Sequence, residues 1–272
     1  MNMASSNPAF SNSPAFTQSA TKAIQWTREP SAAQLDELYA RSSATPDQMD
    51  RMTYENTIVK TVIAFGFLLV GAAVGWFIPA LMIPAAIVGF VLALVNIFKK
   101  KPSPALILAY AGVQGLFVGG ISGVFEQFAP GIVTQAVLGT FAVVGVVLAL
   151  FASGKVRASK RATKVFLVAM VGYAVFSLIN MGLILFGVTD SAFGLRSEPS
   201  FLFGIPWGVL IGVFVILLAS YSLVLDFDSI KTGVQRGAPA IFGWSAAFGI
   251  MVTVIWLYLE ILRMLAILRG SN

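Results

Sequence analysis

From Thr57 onward the chain is a succession of apolar stretches of bilayer length, broken by short polar joints. Seven such runs occupy about 57–77, 79–98, 105–125, 131–152, 165–187, 203–225 and 241–268. A spanning helix needs roughly 20 apolar residues, so each run predicts one crossing. No run alternates polar and apolar positions as the strands of a transmembrane barrel do. A helix is the other backbone that satisfies its own hydrogen bonds inside lipid. The pattern predicts an all-α polytopic membrane protein of about seven transmembrane helices. Phe77-Ile78-Pro79 joins the first two runs, a tight turn placed by proline, and Lys99-Lys100-Lys101-Pro102 ends the second.

Residues 1–56 lack this pattern. They open with MNMASSNPAFSNSPAFTQSATK, which is too polar to bury a core and predicts a disordered tail. It is no signal peptide, because no basic segment precedes an apolar one. Asn7-Pro8-Ala9-Phe10 recurs as Ser13-Pro14-Ala15-Phe16, and Ser31 to Tyr39 could lie as a short helix on the membrane surface. The tail holds six of the twelve acids and four of the eighteen bases, so it is acidic while the apolar part is basic. The expected division is a tail over 1–56 and a transmembrane helical domain over 57–272.

Composition sharpens this picture. Hydrophobic residues make up 57% of the chain and charged ones 11%, against about 25% charged in soluble domains. The chain contains no cysteine and no histidine. Disulfides, Cys/His zinc sites, thiol nucleophiles and histidine-based triads are therefore excluded. Any proton chemistry falls to carboxylates. No phosphate-binding GxxxxGK[ST] loop and no HExxH occurs, so neither an ATP-driven pump nor an intramembrane protease is expected, and the chain reads as a non-enzyme without a cofactor. The net charge of +6 points to anionic lipid rather than nucleic acid.

Lysine and arginine are distributed unevenly between the joints. Those after the second, fourth and sixth runs carry three, five and two bases, and those after the first, third and fifth carry none, none and one, the last being Arg196. The positive-inside rule then places the even joints and the N-terminal tail in the cytoplasm of a cell-membrane protein. Seven spans leave the C-terminus outside, an outcome that Arg263 and Arg269 oppose mildly.

An ionisable side chain in a bilayer costs about 2.5–3.5 kcal/mol on insertion scales, so each one needs a reason. Lys60 lies one turn into the first run and can snorkel to the surface. Glu126 is either a solvated loop acid or a charge collecting cations at an outer mouth. Asp226 and Asp228 close the sixth run; two residues apart, they point to different sides of a helix. Glu260 lies among apolar residues of the last run, with Arg263 three residues on and able to pair with it. It is either half of that ion pair or a buried carboxylate facing a second acid or a passing cation. Gly115, Gly119 and Gly123 form a smooth face of the third run, the small-residue pattern of close helix packing. Tyr173, Ser177 and Asn180 line one stripe of the fifth. Trp76, Trp207 and Trp244 fall near span ends, as interfacial anchors do.

The segments MTYENTIVKTVIAFGFLLVGAAVGW, NIFKKKPSPALILAYAGVQGLFVGGISGVFE, VLDFDSIKTGVQRGAP and WLYLEILRMLAILRG resemble the Bax inhibitor-1/YccA family, in its actinobacterial-type branch. The likeness runs from the NPAF motif to the C-terminus. It implies seven helices with the last one central, and a pH-sensitive calcium leak across the membrane. It also implies that an acid ending the sixth helix, in a D-x-x-x-I motif, pairs with an acid of the seventh in a Y-L-D motif. The first maps to Asp226, with Ile230 four residues on. The second maps to Glu260 of Tyr258-Leu259-Glu260, a glutamate where the motif has aspartate. Counting 1.5 Å per residue from Ile241 puts Glu260 roughly 28 Å along its helix, so the pair meets only if the preceding residues stay outside the hydrocarbon or the segment re-enters. Asp226, Glu260 and Glu126 would supply oxygen ligands for Ca²⁺. The alternative is a non-conducting regulator that binds a membrane protease or another membrane protein. A secondary transporter would show inverted repeats, and none is evident.

Overall fold

The computed structural model describes residues 51–189, 191–200 and 204–270. The expected disorder of the first 50 residues and the surface helix over 31–39 lie outside them. Seven helices follow in order: α1 Tyr54–Phe77, α2 Met82–Phe98, α3 Pro104–Phe128, α4 Ile132–Ala152, α5 Lys160–Leu185, α6 Trp207–Gln235 and α7 Gly243–Gly270. Short 3₁₀ turns at Pro79–Leu81, Gly194–Ser197 and Ala240–Phe242 join some of them. With the turns at Pro79–Leu81 and Ala240–Phe242 counted into α2 and α7, all seven are long and apolar enough to cross a membrane. Among the described residues β pairing is limited to two isolated bridges, Arg51 with Pro239 and Pro199 with Pro206.

Local chemistry sets the helix ends. The Thr53 hydroxyl accepts from the Asn56 amide and Ser159 from that of Ala162, each satisfying an N–H that the first turn leaves open. Pro104 occupies the first turn of α3, where its missing N–H costs nothing. Gly237 at φ 62° turns the chain after α6, and Pro239 prevents its renewal.

Three boundaries differ from the hydropathy pattern. Helix α6 ends at Gln235 rather than near 225, so Asp226 and Asp228 lie inside it instead of closing it. The segment SIKTGVQ is polar but helix-compatible, and hydropathy reports the edge of the bilayer, not the edge of the helix. Helix α5 starts at Lys160 for the same reason. The folded unit also starts before 57: the Met52 amide donates to the Ala238 carbonyl at 2.7 Å and its side chain is buried.

Helices α1 and α3 pack through glycine on both sides. A Cβ added at Gly115 would overlap the Leu68 carbonyl, one at Gly119 the Ala72 carbonyl, and one at Gly71 that of Gly112. At Gly123 the approach is looser, 3.3 Å to the Trp76 carbonyl. Backbones come this close only without side chains between them. Helix α7 contributes fully buried Met251 and Leu257 to the core and packs against α6, α1, α4 and α3. Helix α5 is the opposite case, with Asn180 as its one buried residue.

Candidate functional site

The bundle has a basic end, where Lys99–Lys101, the joint over 153–159 and the α6–α7 turn lie, and a far end carrying residues 186–189, 191–200 and 204–206. Helix α7 runs from the first to the second and carries two polar clusters along one stripe.

The cluster nearer the far end is built on Glu260, which is 1% exposed. Its Oε1 accepts from Arg196 at 3.0 Å and its Oε2 from Arg263 at 2.8 Å. The Tyr173 hydroxyl donates to Oε2 at 2.8 Å, and Arg196 also donates to Tyr173 and Ser177 at 3.2 and 3.3 Å. The Arg196 guanidinium sits 5.4 Å from the centres of both the Tyr173 and Phe176 rings, a placement that the rings' quadrupoles favour. Burial works against the Arg196 charge, but the Tyr173 hydroxyl and the Glu260 carboxylate outweigh it and hold the group above its ordinary pKa. Two guanidiniums against one carboxylate leave the cluster with one positive charge.

Arg196 reaches this depth because its loop is clamped. Asn180 accepts from the Leu195 amide at 2.8 Å and donates to the Phe193 carbonyl at 3.1 Å. Gly194 turns between them at φ 59°, with the Asn180 side chain filling the space a Cβ would take. The stripe Tyr173, Ser177 and Asn180 thus holds one arginine and its loop.

The second cluster lies two turns of α7 nearer the basic end. Thr253 donates to Asp226 Oδ2 at 2.7 Å, Ser222 lies 3.3 Å from Thr253 Oγ1, and Gly249 faces Asp226 Oδ1 closely enough that a Cβ there would stand 3.1 Å from it. Asp226 is half-buried, and among the described residues it has no ion pair. Asp228 is also half-buried, on another side of α6.

Asp226 and Glu260 therefore do not form a pair. Thr253 and Glu260 are seven residues apart, about 10 Å of helix. The turn between them carries fully buried Leu257, and Trp256 with its ring 6.2 Å from that of Tyr173. No re-entry brings the acids together. Glu260 instead has the partner three residues on that its spacing allowed, Arg263, together with Arg196, to which no local pattern pointed.

Glu126 has a structural role at the joint between α3 and α4. It lies in the last turn of α3 and accepts from the Gly131 and Val133 amides at 2.5 and 3.1 Å, closing the N-terminus of α4. Lys60 donates to the Ala240 carbonyl at 2.5 Å. Among the described residues no group of three acids comes together as a metal site. A groove of about 630 Å³ between α1, α3, α4 and α7 is lined by Phe65, Ala72, Trp76, Phe141 and Ile255 and includes neither acid. Its polar floor is the hydroxyl pair of Ser122 and Tyr258, 2.6 Å apart.

Residues 7–270 match the family described as Bax inhibitor 1 like. A search of the curated proteins found no match.

Proposed function

This chain belongs to the Bax inhibitor 1 like family, and we propose that it is a leak pathway for cations, calcium foremost, through a seven-helix bundle in the cell membrane. Its basic loops and N-terminal tail face the cytoplasm, and calcium is cargo rather than a resident cofactor. Asp226 is the acid that meets the passing ion. The observation behind this reading is that a half-buried carboxylate inside the bundle is held by one hydroxyl, with no base beside it among the described residues. Asp226, Thr253 and Ser222 together offer the oxygen ligands that Ca²⁺ prefers. Glu260, expected as the second ligand, has both oxygens taken by arginines and is assigned no contact with the ion while they are in place.

Proton sensitivity follows from the same carboxylate. With no histidine or cysteine in the chain, a carboxyl group is the side chain to which we assign a response between about pH 5 and 8. Ionised Asp226 attracts the cation, and its protonated form does not. Thr253 and Gly249 of α7 and Ser222 of α6 face it, and none of them carries charge.

The test is flux of Ca²⁺, Na⁺ and K⁺ into liposomes holding the purified protein, at about pH 6 and about pH 8. Calcium flux should fall on acidification. Asp226→Asn should lower it and flatten the dependence, while Asp228→Asn keeps the parent profile. Absence of flux for all three ions at both pH values would reject the pathway. The alternative, a regulator docking on a membrane protein or protease, would then be tested by deleting residues 1–50 and measuring loss of the partner.

A further inference from the structure

We propose that Arg196 is the far-end gate of this pathway, a tethered guanidinium occupying the place that a free cation would take beside Glu260. The inference rests on the cation-leak reading and names a regulator that the reading lacks. Arg196 does not belong to a spanning helix. It comes from the 3₁₀ turn Gly194–Ser197 in the loop between α5 and α6, yet it is 3% exposed and ends on a carboxylate of α7. Two aromatic faces, two hydroxyls and a carboxylate surround it, a set of partners that suits any desolvated cation.

The position of the loop agrees with a gate. A cup of about 310 Å³ at the far end is lined by Ser191, Phe193, Ser197, Pro206 and Ile267. A Cβ at Gly208 would strike both the Arg196 backbone and Ile267, which lines the cup. The loop that walls the cup therefore also carries Arg196, whose side chain ends on Glu260. Electrostatics adds to the steric block. With Arg196 in place the Glu260 cluster holds one net positive charge, and an approaching cation is repelled at low dielectric. Without Arg196, Glu260 and Arg263 remain as a neutral pair. Among the described residues, the charged and titratable groups at this point are Glu260 and Arg263 from α7, Tyr173 from α5 and Arg196 itself.

The chain has no cysteine, so one introduced thiol reports access without background. Ser177→Cys places it against Arg196. In liposomes, an impermeant thiol reagent applied from the loop side should leave this cysteine protected. Adding Arg196→Gln should expose it, and should raise calcium flux roughly tenfold, as expected for a barrier about 1.4 kcal/mol lower. If Arg196→Gln does not fold, the double variant Arg196→Gln/Glu260→Gln, which leaves no carboxylate without its guanidinium, carries the same measurement. Unchanged labelling and unchanged flux, with the parent conducting, would overturn the gate and leave the leak reading standing. Raised labelling without flux in any variant would uphold the gate as a barrier to water and reject the leak.

Discussion

Arg196 reaches Glu260 across 64 residues of chain, guanidinium to carboxylate at 3.0 Å, with both side chains almost wholly buried. One contact thus fastens a loop to the most buried helix of the bundle, and it removes Glu260 from any pairing with Asp226.

Breaking that contact should be costly. Glu260→Ala leaves a buried arginine without its counter-charge, a loss of about 3–5 kcal/mol. Arg196→Met combined with Glu260→Met should recover most of it, since a buried pair replaced by apolar side chains is often close to neutral. Thermal unfolding in detergent of Glu260→Ala and of the double variant checks this, and equal losses in both would contradict it.

The glycine contact between α1 and α3 gives a matched comparison on one helix. Gly119→Ala drives a methyl into the Ala72 carbonyl, whereas a Cβ at Gly112 meets nothing within 4 Å. Gly119→Ala should lose about 1–3 kcal/mol. Gly112→Ala should be neutral or gain up to about 1 kcal/mol from helix propensity. The difference between their unfolding midpoints is the measurement.

Asn180 clamps the arginine-bearing loop through two backbone groups. Asn180→Ala should cost about 1–3 kcal/mol by leaving them without partners. Limited proteolysis should then cut between 191 and 206 faster than in the parent, with no change at the joint over 153–159.

Glu126 separates structure from conduction. Glu126→Gln should lose about 1 kcal/mol of stability by weakening its hold on the α4 N-terminus. Ion flux through the folded protein should stay at the parent level. A clear drop in calcium flux would restore Glu126 to the pathway.

The seven crossings were legible because lipid imposes a length that apolar runs must meet, and the runs over 57–77 and 131–152 differ from α1 and α4 by at most three residues. The Glu260–Arg263 pair was legible from spacing alone, and Tyr173, Ser177 and Asn180 from their shared stripe. Arg196 was visible only as the lone base in joints otherwise without one. A contact spanning 64 positions leaves no periodicity in GLRS to be read. Asp226 was legible as an acid that needed a reason, but its surroundings were not. The helix continues for nine residues beyond it into polar sequence, and its partner Thr253 is one of several hydroxyls in the apolar runs.

Helix α5 has almost no buried face; it meets its neighbours through the hydrogen bonds of Asn180, Tyr173 and Thr163 and through the rings of Phe166 on Tyr221 and Tyr173 on Trp256. Its 26 residues extend about 39 Å, longer than a hydrocarbon core of about 30 Å. A change in bilayer thickness tilts such a helix at fractions of a kcal/mol per Å, and no interlocked core resists the tilt. Tyr173 and Asn180 ride on α5, so a tilt of this helix would pull directly on the Arg196 cluster through their hydrogen bonds.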